Sequence, residues 1–121
     1  MLRAMIVDDK ALSAKQLKKI LEKSSDIEIC HVFLNPLEAY DYVKANSIDI
    51  VFVDILMREM SGFRLSSLLL DLDASIKVVF VTASDDYAIK AFEMGALDYL
   101  KKPVTALRMS KTLDKVRRWH W

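Results

Sequence analysis

The chain has 121 residues and a mass of 13.9 kDa, one domain of ordinary size with enough apolar residues to build a single core. Its 18 Lys and Arg against 17 Asp and Glu leave a formal charge of +1, which excludes a general electrostatic preference for nucleic acid or membrane and confines charge effects to local clusters. A single cysteine, Cys30, excludes an internal disulfide; the opening apolar run is too short for a signal peptide, and no stretch approaches the roughly 18 apolar residues of a membrane span, so a cytoplasmic, soluble chain is expected.

Ala4-Met5-Ile6-Val7 reads as a buried strand that ends in Asp8-Asp9-Lys10. Helical spacing follows, with Leu17, Ile20 and Leu21 on one face and lysines on the other. Residues 27–33 are rich in β-branched and aromatic side chains and predict a second strand, with Cys30 as a buried core thiol. Asn35-Pro36-Leu37-Glu38 is a helix start, with an Asn cap, Pro at the first position and Glu three residues after the cap. That helix is expected to run to about Ala45 and to pack Ala39, Tyr40 and Val43 inward.

Ile50-Val51-Phe52-Val53 is continuously apolar, as a strand buried on both faces must be, and it stops at Asp54. Residues 56–62 lack either periodicity and contain Ser61-Gly62, so they predict a loop. Leu65, Leu68, Leu69 and Leu72 then form the stripe of a third helix. Lys77 to Val81 is a fourth strand, closed by Thr82. Ala88, Ala91 and Phe92 mark a fourth helix that Gly95 can end in a left-handed cap. Ala96 to Leu100 predicts a fifth strand, closed by Lys101-Lys102-Pro103, and Ala106, Met109, Leu113 and Val116 predict a final helix. Five strands alternating with five helices imply right-handed crossovers and a parallel sheet covered on both faces.

What lies just past each strand is chemically uneven. If the strand order is 2-1-3-4-5, the first and third strands are neighbours at the switch point, and Asp8, Asp9 and Asp54 converge in one crevice. Three carboxylates in one small site raise each other's pKa, and a divalent cation relieves them. Oxygen ligands without His or Cys favour magnesium. Lys102 and the Thr82 hydroxyl add a cation and a donor suited to a phosphoryl group. Taken singly, Asp8-Asp9 could cap a helix, Thr82 could end a strand, Tyr99 could be a half-buried aromatic and Lys101-Lys102 could be a solvated pair.

Val7-Asp8-Asp9, Val53-Asp54-Ile55, Val81-Thr82-Ala83 and Asp98-Tyr99-Leu100-Lys101-Lys102-Pro103, in this order and each at a strand end, resemble the signature of response-regulator receiver domains of two-component signalling. The stretch from Thr82 to Phe92, with Ala96 to Leu100, is most similar to receivers that precede LytTR-type or related DNA-binding output domains. The resemblance implies a flavodoxin-like doubly wound (βα)5 fold and one receiver domain over 1–121, standing at the start of a longer regulator where an output domain follows. It makes Asp54 the phosphoacceptor for a sensor histidine kinase. Asp9 would bind Mg2+ directly, Asp8 mostly through water and Leu56 through its carbonyl, with Asp54 also in the metal set. Thr82 and Lys102 would grip the phosphoryl oxygens across a cis Lys102–Pro103 bond, and Thr82 and Tyr99 would form the switch. A homodimer through the fourth helix, fifth strand and fifth helix is implied on activation, with control of transcription left to the output domain.

Two positions depart from the family pattern. Lys10 stands where an acid is usual, free to compete for the carboxylates or to point away, and Arg58 stands where proline is common. Neither removes a reacting group. A competing function is a pseudo-receiver, an interaction module that works without phosphorylation. A flavodoxin-like cofactor binder would want a Gly/Ser/Thr-rich loop after the first strand, and an aspartyl phosphatase a second Asp where Leu56 stands. His31 and His120 have no ligand partners at useful spacing, and Arg117-Arg118 is too little for direct nucleic-acid contact.

Overall fold

In the computed structural model, which describes residues 1–120, strands and helices alternate along the whole chain. The strands are β1 (Leu2–Val7), β2 (Ile27–Phe33), β3 (Ile50–Val53), β4 (Lys77–Thr82) and β5 (Asp98–Lys101). The helices are α1 (Ala11–Leu21), α2 (Pro36–Ala45), α3 (Gly62–Leu72), α4 (Ala88–Glu93) and α5 (Ala106–His120). All strand pairs are parallel, in the order β2-β1-β3-β4-β5. This is the doubly wound fold that the alternation implies.

The continuous apolar strands are explained by a core on each side of the sheet. Met5, Val7, Val51, Val53, Val78 and Phe80 point to one side, where Ala39, Leu65, Leu69 and Ala91 of α2, α3 and α4 cover them. Their neighbours Ala4, Ile6, Ile50, Phe52, Val79 and Val81 point to the other side, under Leu17 and Leu21 of α1 and Met109, Leu113 and Val116 of α5. Successive strand residues face opposite ways, so apolar residues are needed at every position. Fully burying Phe52 or Phe80 contributes about 2–3 kcal/mol each.

Several expectations need correction. The inward face of α3 is turned from the leucine stripe: Phe63, Leu65, Ser66 and Leu69 are buried, Leu68 is half-buried and Leu72 is exposed. The cause is local. A Cβ on Gly62 would lie 2.2 Å from the carbonyl oxygen of Asp54, so α3 starts against the end of β3 and its first turn is the buried one. Phe92 of α4 and Ala106 of α5 face outward, leaving Ala91 as the buried residue of α4. Tyr40 and Ile20 are half-buried. Cys30 is also half-buried, because β2 is an edge strand whose register with β1 shifts there: Ala4 faces Ile29 and Met5 faces His31. β5 begins at Asp98 rather than Ala96. The Asn35 side chain caps α2 by accepting from the Leu37 N–H, and Gly95 has φ +83°, the left-handed conformation expected after α4.

Candidate functional site

Register places the chemistry. Val7 of β1 faces Val53 of β3, so Asp8 and Asp54 leave the sheet side by side, and the Asp54 N–H donates to the Val7 carbonyl at 3.0 Å. Val53 faces Phe80, and Thr82 at the end of β4 faces Lys101. The Lys102 N–H then donates to the Thr82 carbonyl at 2.8 Å, just before a cis Lys102–Pro103 bond. The carboxyl ends of four strands thus frame one crevice.

One carboxylate oxygen from each of Asp8, Asp9 and Asp54 lies within 4.8 Å of the others. Asp8 and Asp54 are buried and Asp9 is half-buried. Two ammonium groups answer these three carboxylates. Lys102 Nζ donates to Asp8 Oδ2 at 2.7 Å and to Asp54 Oδ2 at 3.2 Å. Lys10 Nζ donates to Asp9 Oδ1 at 2.9 Å, to Asp54 Oδ2 at 2.7 Å and to the carbonyl oxygen of Leu56 at 2.9 Å, with Asp8 Oδ1 at 3.7 Å. Of the two orientations open to Lys10 from sequence, it therefore turns inward. The second oxygen of Asp9 accepts the Arg58 N–H at 2.8 Å, a donor that a proline there would not have.

The charges of this cluster are mutually adjusted. Burial pushes the Asp9 carboxyl up, but the Arg58 N–H and the Lys10 ammonium outweigh it and hold its pKa below the ordinary value. Partial burial lowers the Lys10 pKa, and the hydrogen bonds to Asp54 and Asp9 more than reverse that, so the ammonium is firmly protonated. Three carboxylates against two ammoniums still leave one negative charge in excess among these groups.

Thr82 and Tyr99 stand beside the carboxylate cluster without bonding to it. The Thr82 hydroxyl is fully buried and has no hydrogen-bond partner among the described residues. Tyr99, half-buried against the α3 and α4 side of the core, donates its hydroxyl to the Ser84 carbonyl, two residues after Thr82. Burial raises the Tyr99 pKa, with Asp85 and Asp86 adding to the effect. The sequence offered no signal for Ser84, whose backbone takes part. His31 lies elsewhere, stacked on Phe33 at 4.1 Å between ring centroids, and the His120 side chain lies outside the described residues.

The donor set fits a magnesium ion: three carboxylates and the Leu56 carbonyl supply hard oxygens, with no His or Cys in the cluster. The buried Thr82 hydroxyl has no partner among the described residues and so keeps a donor for an anionic oxygen.

Fold and site together define a doubly wound α/β domain with an acidic crevice and a lysine at its strand ends. The chain belongs to the response regulator receiver domain family, which it matches over residues 4–114. It is 42% identical over 118 residues to an uncharacterized response regulatory protein of Shewanella oneidensis, covering 98% of this chain and 50% of that protein. It is 41% identical over 117 residues to the transcriptional regulatory protein BtsR of Escherichia coli K12, covering 97% of this chain and 48% of that one. The chain thus spans about half the length of these curated relatives. Among solved structures, the response regulatory domain of mrkE from Klebsiella pneumoniae aligns with a TM-score of 0.89 at 28% identity, over 98% of this chain and 97% of that one. A chain of the CheX-CheY-BeF3-Mg2+ complex from Borrelia burgdorferi aligns with a TM-score of 0.86 at 25% identity, over 96% and 89%. Among the described residues no helix is long and apolar enough to cross a membrane.

Proposed function

We propose that this chain is the phosphoacceptor part of a two-component regulator, with Asp54 receiving a phosphoryl group from the phosphohistidine of a sensor histidine kinase. The observation that carries this reading is the setting of Asp54: a buried carboxylate facing the Lys102 ammonium, beside two further carboxylates and an unpartnered Thr82 hydroxyl. A carboxylate is a weak nucleophile, but phosphohistidine is an activated donor, so alignment and neutralisation are the protein's main tasks. The bond formed joins an Asp54 oxygen to phosphorus; the bond broken is phosphorus to imidazole nitrogen, which leaves with the electron pair.

Asp9, Asp54 and the Leu56 carbonyl would hold magnesium directly and Asp8 through water. When bound, the ion supplies positive charge to the transferring phosphoryl oxygens. Lys102 neutralises a second oxygen, and the Thr82 hydroxyl gains the acceptor it lacks. The acyl phosphate adds roughly two negative charges at this point. Drawing in Thr82 would pull the segment that carries Ser84, and with it the hydroxyl of Tyr99, so the change reaches α4 and β5. Ile89 and Phe92 on α4 and Leu107 on α5 are exposed, which supports α4, β5 and α5 as the face that pairs with a second copy or an output partner. As one part of a longer regulator, the domain would act on transcription through an output domain.

The test is the intact mass after incubation with a small phosphodonor, with and without magnesium, beside an Asp54→Asn control. One added phosphoryl group that requires both magnesium and Asp54 is expected. No addition to folded protein under any condition would overturn the proposal in favour of a phosphorylation-independent interaction module, a reading that the inward Lys10 favours.

A further inference from the structure

The Lys10 ammonium occupies a position that a bound divalent cation would need. An ammonium has three N–H donors. Those of Lys10 are matched by Asp9 Oδ1, Asp54 Oδ2 and the Leu56 carbonyl, at 2.7 to 2.9 Å. The same three residues form the proposed direct coordination set, and magnesium holds oxygens at about 2.0–2.1 Å. Two cations cannot share those oxygen lone pairs on one side of the cluster, so one must leave before the other enters.

The means of leaving is built into the residue. The Lys10 side chain is 51% exposed, so its stem runs along the mouth of the crevice with solvent beside it. Its backbone is fixed independently: the Lys10 N–H donates to Asp8 Oδ1 at 2.9 Å, and its carbonyl accepts the Ala14 N–H at 3.0 Å in the first turn of α1. Release therefore requires rotamer changes and no movement of β1 or α1. The consequence for Asp9 is direct: each of its oxygens accepts one hydrogen bond, Oδ2 from the Arg58 N–H and Oδ1 from Lys10, and the departure of Lys10 returns the Oδ1 site to an incoming cation.

We infer that Lys10 is a tethered cation that competes with magnesium for Asp9, Asp54 and Leu56, and so determines the magnesium concentration at which the domain can accept a phosphoryl group. The inference rests on the crevice being the divalent-cation site. With Lys10 in, the three carboxylates and two ammoniums sum to −1. With Lys10 out and the divalent ion in, the same carboxylates, Lys102 and the ion sum to zero. The exchange thus makes the site one charge more positive before a dianionic phosphoryl arrives, with the exposed Arg58 guanidinium, 3.8 Å from Asp9 Oδ2, adding the same charge in both states. Because the competent form exists only while Lys10 is out, the apparent dissociation constant for magnesium is weakened by the fraction of time it spends there.

The experiment is calorimetric titration of the protein with magnesium chloride, for the unmodified chain, Lys10→Met and Lys111→Met. Methionine keeps an unbranched stem and removes the charge, and Lys111, exposed on α5, controls for the loss of one positive charge anywhere. Lys10→Met is expected to bind magnesium at least about tenfold more tightly, and Lys111→Met as the unmodified chain does. Equal affinity in all three would overturn the role of Lys10 and leave the phosphoacceptor reading intact, whereas no binding by any would overturn both. A second measurement needs no variant. The side-chain 15N resonance of Lys10 should move from a hydrogen-bonded to a free lysine position as magnesium saturates the unmodified chain; a resonance that stays in place at saturation would equally overturn the inference.

Discussion

Two clusters of carboxylate and cation hold this domain, and they are built on opposite terms. At the carboxyl ends of β1 and β3, three carboxylates share two ammoniums, and a buried hydroxyl beside them has no partner among the described residues. At the start of β5, one carboxylate, Asp98, is over-supplied. Arg108 grips it with two nitrogens at 3.0 and 2.8 Å, Thr112 donates at 2.7 Å, the Tyr99 N–H donates at 2.9 Å, and Lys115 stands at 3.4 Å. Burial alone would raise the Asp98 pKa, yet Arg108, Thr112 and the Tyr99 N–H bring it down to about 2. The satisfied cluster ties β5 to α5 and has no capacity for another charge. The unsatisfied one is stable enough to fold and open to exchange.

That contrast can be broken most sharply by deleting a carboxylate from each. Asp98→Ala leaves Arg108 and Thr112 without their acceptor and is expected to cost about 3 kcal/mol in chemical denaturation, with phosphoryl acceptance per folded molecule preserved. Asp54→Asn should change stability by no more than about 1 kcal/mol, since it removes one of three like charges, and should abolish acceptance. A large loss of stability from Asp54→Asn would put both clusters in the same class.

The pH dependence sharpens the same point at smaller scale. The folded pKa of Asp98 is depressed, so its contribution is fully present above the unfolded carboxyl value of about 4 and is lost as pH falls toward about 2. Denaturation midpoints across that range should show a loss on the order of 1–2 kcal/mol that Asp98→Asn removes. A comparably small effect is expected of Thr82→Val, which replaces a buried hydroxyl with a methyl and should raise stability by about 1 kcal/mol while slowing phosphoryl acceptance.

The strand-end site could be read from sequence because an apolar strand that stops at a polar or charged residue is an abrupt change of chemistry: Asp8 and Asp54 end two such runs, Thr82 a third, and Lys102 follows the last strand. A parallel sheet covered on both faces followed from the alternation, while the order 2-1-3-4-5 belonged to the receiver resemblance. Side chains whose environment is set across the fold were less readable. The spacing of Leu65, Leu68, Leu69 and Leu72 gives a helix but not its rotation, which the approach of Gly62 to the Asp54 carbonyl decides. Phe92 and Ala106 are apolar yet exposed, and Cys30 lies at a register shift that no local pattern announces. The Asp98 network joins β5 to α5 across a turn: Arg108 and Thr112 are neighbours at i, i+4 on the helix, but nothing local turns that pair toward Asp98. Lys10 was open to both orientations because a flexible four-carbon stem reaches the carboxylates or water equally well.

The most direct measurement is a two-dimensional 1H–15N NMR titration of the protein with beryllofluoride, a phosphoryl mimic, in saturating magnesium. The amides of Asp54, Leu56, Thr82 and Ser84 are predicted to shift, while the Arg108 side-chain N–H and the Thr112 amide keep their positions. Saturation without change at Asp54 and Thr82, or equal movement at Arg108 and Thr112, would contradict the division of the molecule into one exchangeable and one fixed charge cluster.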